Sequence, residues 1–328
     1  MRVVITGGAG FIGRRLAVEL LKRERLTGPS ATPEPVEKIV LFDVGPPARP
    51  IADPRVETIT GDISEPHSVR RAIGPETGSV FHLAAVVSAQ AEADFDLGMR
   101  INLDGTRHVL DACRALPRPV RLVFTSSIAT YGGSLPDTVT DVTVQTPLTS
   151  YGAQKAACEL LVSDYSRKGY VDGRSLRLPT ITVRPGKPNK AASTWVSSIM
   201  REPLQGEDAV CPVTPETRMA CLSPRRCVAA LIRAHELPSD VFGASRSILL
   251  PGLSVSAREM ADAVERNAGN RKIGKIRWEA DPAIQKIVDG WPKASWSDRA
   301  NMLGFEGDRH IDEIVRGFIE DELEGRAA

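Results

Sequence analysis

In the stretch TSYGAQKAACELL (149–161), Tyr151 and Lys155 stand four residues apart. On a helix that spacing brings them to one face. An ammonium beside a phenol favours the phenolate and lowers a pKa that is ordinarily ~10. A phenol so lowered can act as a general base near neutral pH. The same spacing also describes an exposed pair on a solvated helix, so by itself it defines no site. One loop earlier, FTSSIATYGG (124–133) ends a strand-like run with hydroxyls at Ser126 and Ser127. A serine there can donate to a substrate oxygen beside the tyrosine, holding and polarising it, although serines at strand ends are also ordinary caps. The conjunction of serine, tyrosine and lysine is what points to chemistry.

A second constellation opens the chain. VVITGGAGFIG places Gly7, Gly10 and Gly13 in a GxxGxxG spacing between a strand-like and a helix-like segment. The first glycine permits the tight turn, the second lets backbone approach a pyrophosphate, and the third lets helix and strand pack closely. The helix start then offers N–H groups to phosphate. Asp43 ends the next strand-like run, LFDV. A carboxylate there accepts from ribose hydroxyls and repels a 2′-phosphate, which favours NAD over NADP. Asp62, in GDI (61–63) at the end of a third run, is placed to bond an adenine amino group or to cap a turn.

These residues need elements to position them. Strands are expected at 2–6, 38–43, 56–61, 79–84, 121–126 and 173–178, with helices at 11–25, 91–115 and 150–168. Short apolar runs separated by amphipathic helices indicate βαβ units and a parallel sheet buried on both faces. Right-handed crossovers then give an α/β, Rossmann-type, doubly wound sheet. The proline-rich stretch 25–37 is read as a long loop between the first helix and the second strand. After about residue 179 the segments shorten and prolines increase, with helical pieces at 193–201, 224–236, 255–268 and 311–323. The expected organisation is a dinucleotide domain over 1–178 and a smaller α/β substrate domain over 179–328, with segments near 220–250 returning to the first.

The 328 residues carry 42 Lys and Arg against 41 Asp and Glu. That balance disfavours nucleic-acid binding, which needs a strongly basic face. Five cysteines without a CxxC pair read as buried small hydrophobes, and no metal site is expected. No apolar run reaches the ~18 residues of a membrane span. A signal-peptide pattern is missing at the start, so a cytoplasmic location is expected.

TGGAGFIG, HLAA (82–85), Asn102 in RINLDGTRHVLDAC, TSS followed by YG, and YxxxK resemble, in order and spacing, the extended short-chain dehydrogenase/reductases. The likeness runs over essentially the whole chain, through PGLSVSAREMADAV (251–264). It implies Tyr151 as acid/base, Lys155 as ribose ligand and pKa modifier, and Ser127 as the catalytic serine with Ser126 on the NAD side. It also implies that Gly7, Gly10, Phe11, Ile12, Gly13, Asp43, Asp62 and Ile63 hold NAD. Leu83, Ala84 and Ala85 would line the cofactor, Asn102 would brace the site, and Pro179, Thr180 and Ile181 would follow the nicotinamide. A homodimer through the helices 91–115 and 150–168 is a further implication.

Dehydratases of that family carry an Asp-Glu pair after the catalytic hydroxyl, where Ile128 and Ala129 stand here. Nucleotide-sugar enzymes carry acidic residues after a diphosphate-binding arginine. Here Arg218 is kept and Arg225 and Arg226 replace the acids. HLAAVVSAQAEADFDLGMR, RLPTITVRPGKPNKAAS and TRMACLSPRR resemble a branch that oxidises the C2 hydroxyl of a short sugar acid with NAD. Its substrate carboxylate calls for a planar, bidentate cation. Arg184 is the expected ligand, with Lys187 in reserve and Arg218 the alternative, and Ser88 is expected to meet a substrate hydroxyl. A nucleotide-sugar 4-epimerase and a non-catalytic dinucleotide sensor are the other readings.

Overall fold

The computed structural model describes residues 1–186 and 193–324; Lys187 lies outside the described residues. The chain forms two units. One comprises Met1–Ser127, Thr149–Arg177 and Val228–Ile248, and the other Ile128–Leu148, Leu178–Cys227 and the residues from Leu249 on.

The first unit is built on a seven-stranded sheet. Its strands lie side by side in the order Ser247–Leu249, Asp172–Leu178, Arg121–Ser127, Thr77–His82, Arg2–Thr6, Lys38–Asp43 and Val56–Thr60. Counted along the chain, the first six strands run 3-2-1-4-5-6, the dinucleotide-fold order. The pairings of Arg2–Thr6 with Lys38–Asp43 and with Thr77–His82 are parallel, and so is that of Thr77–His82 with Arg121–Ser127. Val4 sits in register with both Val40 and Val80, and Val80 with Leu122. Val109, Leu110 and Cys113 of the helix Gly105–Arg114 join that layer, as do Cys158 and Val162 of the helix Ser150–Arg167. On the opposite sheet face Val3, Ile5, Ile39, Leu41 and Phe81 are also buried. Burial of both faces is why these strands read as continuous apolar runs. Each such side chain contributes roughly 1.5–3 kcal/mol of burial free energy.

The strand order reverses between Arg2–Thr6 and Thr77–His82, and ligands of such sheets bind outside the strand ends at that point. The glycine turn and Leu83–Ala85 follow the carboxyl ends of these central strands, and Asp43 is the last residue of Lys38–Asp43.

The second unit carries a three-stranded sheet, ordered Leu253–Ser256, Arg218–Leu222 and Thr180–Ile181, and a two-stranded parallel pair of Ala209–Cys211 with Ile276–Trp278. Helices Thr194–Leu204, Ala257–Asn267 and Ile311–Phe318 supply its core through Trp195, Ile199, Met260, Val264, Ile314 and Phe318. Ser256 starts the helix Ala257–Asn267 with a reciprocal capping box to Glu259.

Two local expectations need correction. Residues 25–37 are not a bare loop: Arg25–Thr27 and Pro33–Pro35 pair antiparallel, and Thr27 is tied to Glu236 through its N–H (3.0 Å) and hydroxyl (2.8 Å). Prolines are tolerated there because the ribbon has two edges. The helix expected at 91–115 is instead Ser88–Ala93 and Phe95–Gly98, a π-helical segment Met99–Asp104, then Gly105–Arg114. Asp94 breaks it, turning extended and capping the next segment by accepting from Leu97 N. Among the described residues no helix is long and apolar enough to cross a membrane.

Candidate active site

Tyr151 lies in the first turn of the helix Ser150–Arg167, which Thr149 caps by accepting from Gly152 N at 3.1 Å. One turn on, Lys155 is only 2% exposed. Its Nζ donates to the Thr125 carbonyl at 2.8 Å and lies 5.6 Å from the Tyr151 ring centre and 4.6 Å from that of Phe124. Burial pulls the ammonium down from 10.5 to about 8, opposed by Cys158 and Glu159. Near neutral pH it is therefore still largely charged. Ser127, the last residue of Arg121–Ser127, is half-buried, as is Tyr151. The serine, tyrosine and lysine thus belong to one strand end and the helix beside it.

Ser126 is buried, and its hydroxyl donates to Glu159, one turn after Lys155. Glu159 is in turn gripped by Arg177, whose Nε and Nη2 reach it at 3.0 and 2.7 Å.

At the glycine turn, Gly7 adopts φ +69°, and a side chain there would come within 2.8 Å of Ala84 N. A methyl on Gly13 would collide with the Gly7 carbonyl and come 2.8 Å from Gly8 Cα. The helix Phe11–Arg23 starts at Gly10 with no acidic side chain in its first turn. Its first amides have no intrahelical acceptor and suit a phosphate. Asp43 closes the turn, taking Ala9 N at 3.1 Å on one oxygen and Val44 N at 2.8 Å on the other. A carboxylate with one bond per oxygen retains lone pairs for a ribose diol. These residues fit a bound NAD. Asp62 is exposed and accepts from Ser64 N at 2.8 Å, a local turn bond; Ile63 is buried in the core.

The loop Leu83–Ala85 is braced from two sides. Thr6 Oγ1 accepts from Leu83 N and Ala84 N, both at 3.2 Å, and pairs with His82 Nδ1 at 2.7 Å. His82 Nε2 meets Thr106 Oγ1 at 2.9 Å, and that hydroxyl donates to Asn102 O at 2.6 Å. Since the Thr106 proton is engaged, Nε2 carries the imidazole proton and Nδ1 accepts from Thr6. Burial first, then Lys155, lower His82 to about 3, in keeping with a neutral ring. Asn102, in the π-helical segment, accepts from Val86 N (2.9 Å) and donates to Val86 O (3.2 Å) and Gln154 Oε1 (2.8 Å). Its amide therefore ties the loop after the strand Thr77–His82 to the helix of Tyr151. Such segments are frequent at functional sites.

In the second unit, Thr180–Ile181 runs parallel to Arg218–Leu222, and Pro179 is buried beside it in sequence. Arg184 is half-buried. Its Nε donates to Ile181 O at 3.0 Å, its N–H to Ser197 Oγ at 3.1 Å, and its carbonyl accepts from Arg201 at 2.7 Å. Arg218 is exposed and pairs with Glu259 at 3.0 Å while also bonding Ser254. Arg225 and Arg226 pair with Asp321 and Glu306. Ser88, half-buried, starts the helix Ser88–Ala93 of the first unit. All five cysteines are buried free thiols; burial raises Cys113 and Cys227 to about 12.

Thr6, Thr106, Gln154, Glu159 and Arg177 are given no role by the sequence, and His82 enters only as the first residue of HLAA. The one available signal was the four-residue step Tyr151, Lys155, Glu159 along a single helix.

A dinucleotide fold in which a helix start carries a lysine-backed tyrosine beside a strand-end serine is the arrangement of a nicotinamide-dependent oxidoreductase. The model of the NAD dependent epimerase/dehydratase family matches residues 3–236. The chain belongs to that family, the extended short-chain dehydrogenase/reductases, and is an NAD-dependent enzyme. It is 53% identical to the D-erythronate dehydrogenase of Cupriavidus necator over 98% of both chains. It is 46% identical to that of Haemophilus influenzae, over 98% of this chain and 99% of the relative. A crystal structure described as the nucleoside-diphosphate-sugar epimerase from Agrobacterium tumefaciens matches with a TM-score of 0.91 and 43% identity, covering 100% of this chain and 96% of that one.

Proposed function

We propose that this chain oxidises the C2 hydroxyl of a short sugar acid, D-erythronate, to the corresponding 2-oxo acid. The observation that carries the reading is near-full-length identity with two proteins named D-erythronate dehydrogenase. The buried Lys155 ammonium facing the Tyr151 ring supports the chemistry. Tyr151, as phenolate, takes the proton of the C2 hydroxyl, while Ser127 donates to and positions that oxygen. Lys155, anchored on the Thr125 carbonyl, favours the phenolate and is the proposed ligand of the nicotinamide ribose. When bound, NAD would supply the two-electron acceptor for the hydride leaving C2. The turn from Gly7 to Gly13 faces the pyrophosphate, Asp43 the adenosine ribose, and Leu83–Ala85 and Pro179–Ile181 are assigned to the rest of the cofactor. Arg184 is assigned the substrate carboxylate, since a guanidinium matches it in a bidentate plane; Ser88 is assigned a substrate hydroxyl.

A nucleotide-sugar 4-epimerase is the second reading, favoured by the description of the Agrobacterium structure. Mixing protein, NAD and D-erythronate separates the two. Accumulating reduced cofactor supports the dehydrogenase, whereas conversion of a UDP-sugar without net reduction supports the epimerase.

A further inference from the structure

We propose that Glu159 is a positioning residue for this reaction: locked by Arg177, its carboxylate holds the strand end that carries Ser127 and supplies the buried negative charge that Lys155 faces. The inference rests on the assignment of Ser127, Tyr151 and Lys155 to the chemistry.

Two successive turns of one helix hold two successive residues of one strand. Lys155 Nζ takes the Thr125 carbonyl at 2.8 Å, and Glu159 takes the Ser126 hydroxyl. Ser127 comes next in the chain, so its backbone is set by both grips. Glu159 is 2% exposed and Arg177 14% exposed, with Arg177 Nε within 3.0 Å of both carboxylate oxygens and Nη2 at 2.7 Å from one. A buried ion pair is weak evidence for stability, because apolar residues of similar volume often do as well. What an apolar pair lacks is a field at Lys155.

Among the described residues, several groups face Lys155. Its own helix presents Tyr151, Cys158 and Glu159, and the strand Arg121–Ser127 presents the Phe124 ring and the Thr125 carbonyl. The strand Thr77–His82 presents His82, which is neutral. The strand Asp172–Leu178 acts through Arg177 on Glu159. Burial raises the Cys158 thiol, so it is uncharged near pH 7. Glu159, one helical turn from Lys155 and fixed by Ser126 and Arg177, is then a charge that opposes the loss of the Lys155 proton.

The test reads Lys155 itself, by NMR of 13C-labelled lysine in the NAD-free protein, with Lys155→Met to assign the resonance. In Glu159→Gln the midpoint should fall by about one pH unit or more, as expected for loss of an adjacent opposite charge. In Arg177→Met, where the Glu159 carboxylate has lost its cationic partner, it should rise by about as much. The double variant should return towards wild type. The alkaline limb of kcat should move with each midpoint. Midpoints that stay put in the folded variants, with only activity or melting temperature reduced, overturn the proposal. If Glu159→Gln does not fold, the upward movement in Arg177→Met decides it alone. Because the titration needs no substrate, movement without any sugar-acid oxidation would sink the functional assignment and leave the positioning role standing.

Discussion

Replacing Lys155 by methionine should abolish activity and yet leave the protein as stable as before, or more so, near pH 7. Lys155 is held as an ammonium in a site where burial lowers it from 10.5 to about 8. That difference corresponds to about 3 kcal/mol against the charged form. Below pH 8 the group is charged both folded and unfolded, and the folded protein bears the whole cost. Between pH 8 and 10.5 the folded protein has released the proton while the unfolded chain still holds it. The unfolded state then binds more protons, and wild-type stability rises with pH. Methionine fills the site with a similarly long, unbranched chain and carries none of this cost. It does strip the Thr125 carbonyl of its partner, which costs about 1–3 kcal/mol. The variant should therefore lie between parity and about 2 kcal/mol above wild type near pH 7. That advantage should shrink by about 2 kcal/mol near pH 9.5. Urea denaturation of the two proteins side by side at both pH values gives the difference directly, and other titrating groups cancel in it. A variant several kcal/mol less stable near pH 7, with a difference independent of pH, would refute the reasoning.

Tyr151→Phe should lower kcat by about 10²–10⁴-fold, the usual weight of a general base, with NAD affinity by calorimetry nearly unchanged. Arg184→Lys should raise KM for the sugar acid about tenfold or more with little change in kcat, as expected where a bidentate carboxylate contact is lost. Arg218→Ala, whose guanidinium is exposed and already paired with Glu259, should leave steady-state kinetics near wild type. Gly13→Ala should cost NAD binding at least tenfold, or the fold itself, because the added methyl meets the Gly7 carbonyl and Gly8 rather than a side chain that can move. Thermal melts with and without NAD distinguish those two outcomes.

The readable parts of this protein are those whose signals are local. The strands Arg2–Thr6 and Lys38–Asp43 emerge where the apolar runs place them, because burial on both faces leaves little room for polar residues. The glycine turn is legible because Gly7 and Gly13 have no room for a side chain. The hairpin in 25–37 was hidden, since proline and glycine counts do not reveal that Thr27 is held by Glu236, which lies 209 residues away. The π-helical segment around Asn102 was hidden too, because one extra residue in a helical turn barely alters the apolar period. Glu159 and Arg177 could not be paired from sequence: the partners sit 18 residues apart on a helix and a strand, and only the fold makes them neighbours. The second unit was the least legible, as its strands are three to five residues long apart from the two-residue Thr180–Ile181. Such lengths carry little periodicity.

The central claim is tested most directly by following reduced cofactor while the protein is given NAD and each of a set of four- to six-carbon aldonic acids, with Tyr151→Phe in parallel. The account predicts steady reduction of NAD with D-erythronate as the preferred substrate, slowed by about 10²–10⁴-fold in the phenylalanine variant. Inertness toward every sugar acid, together with interconversion of UDP-sugars and no net reduction, would contradict it.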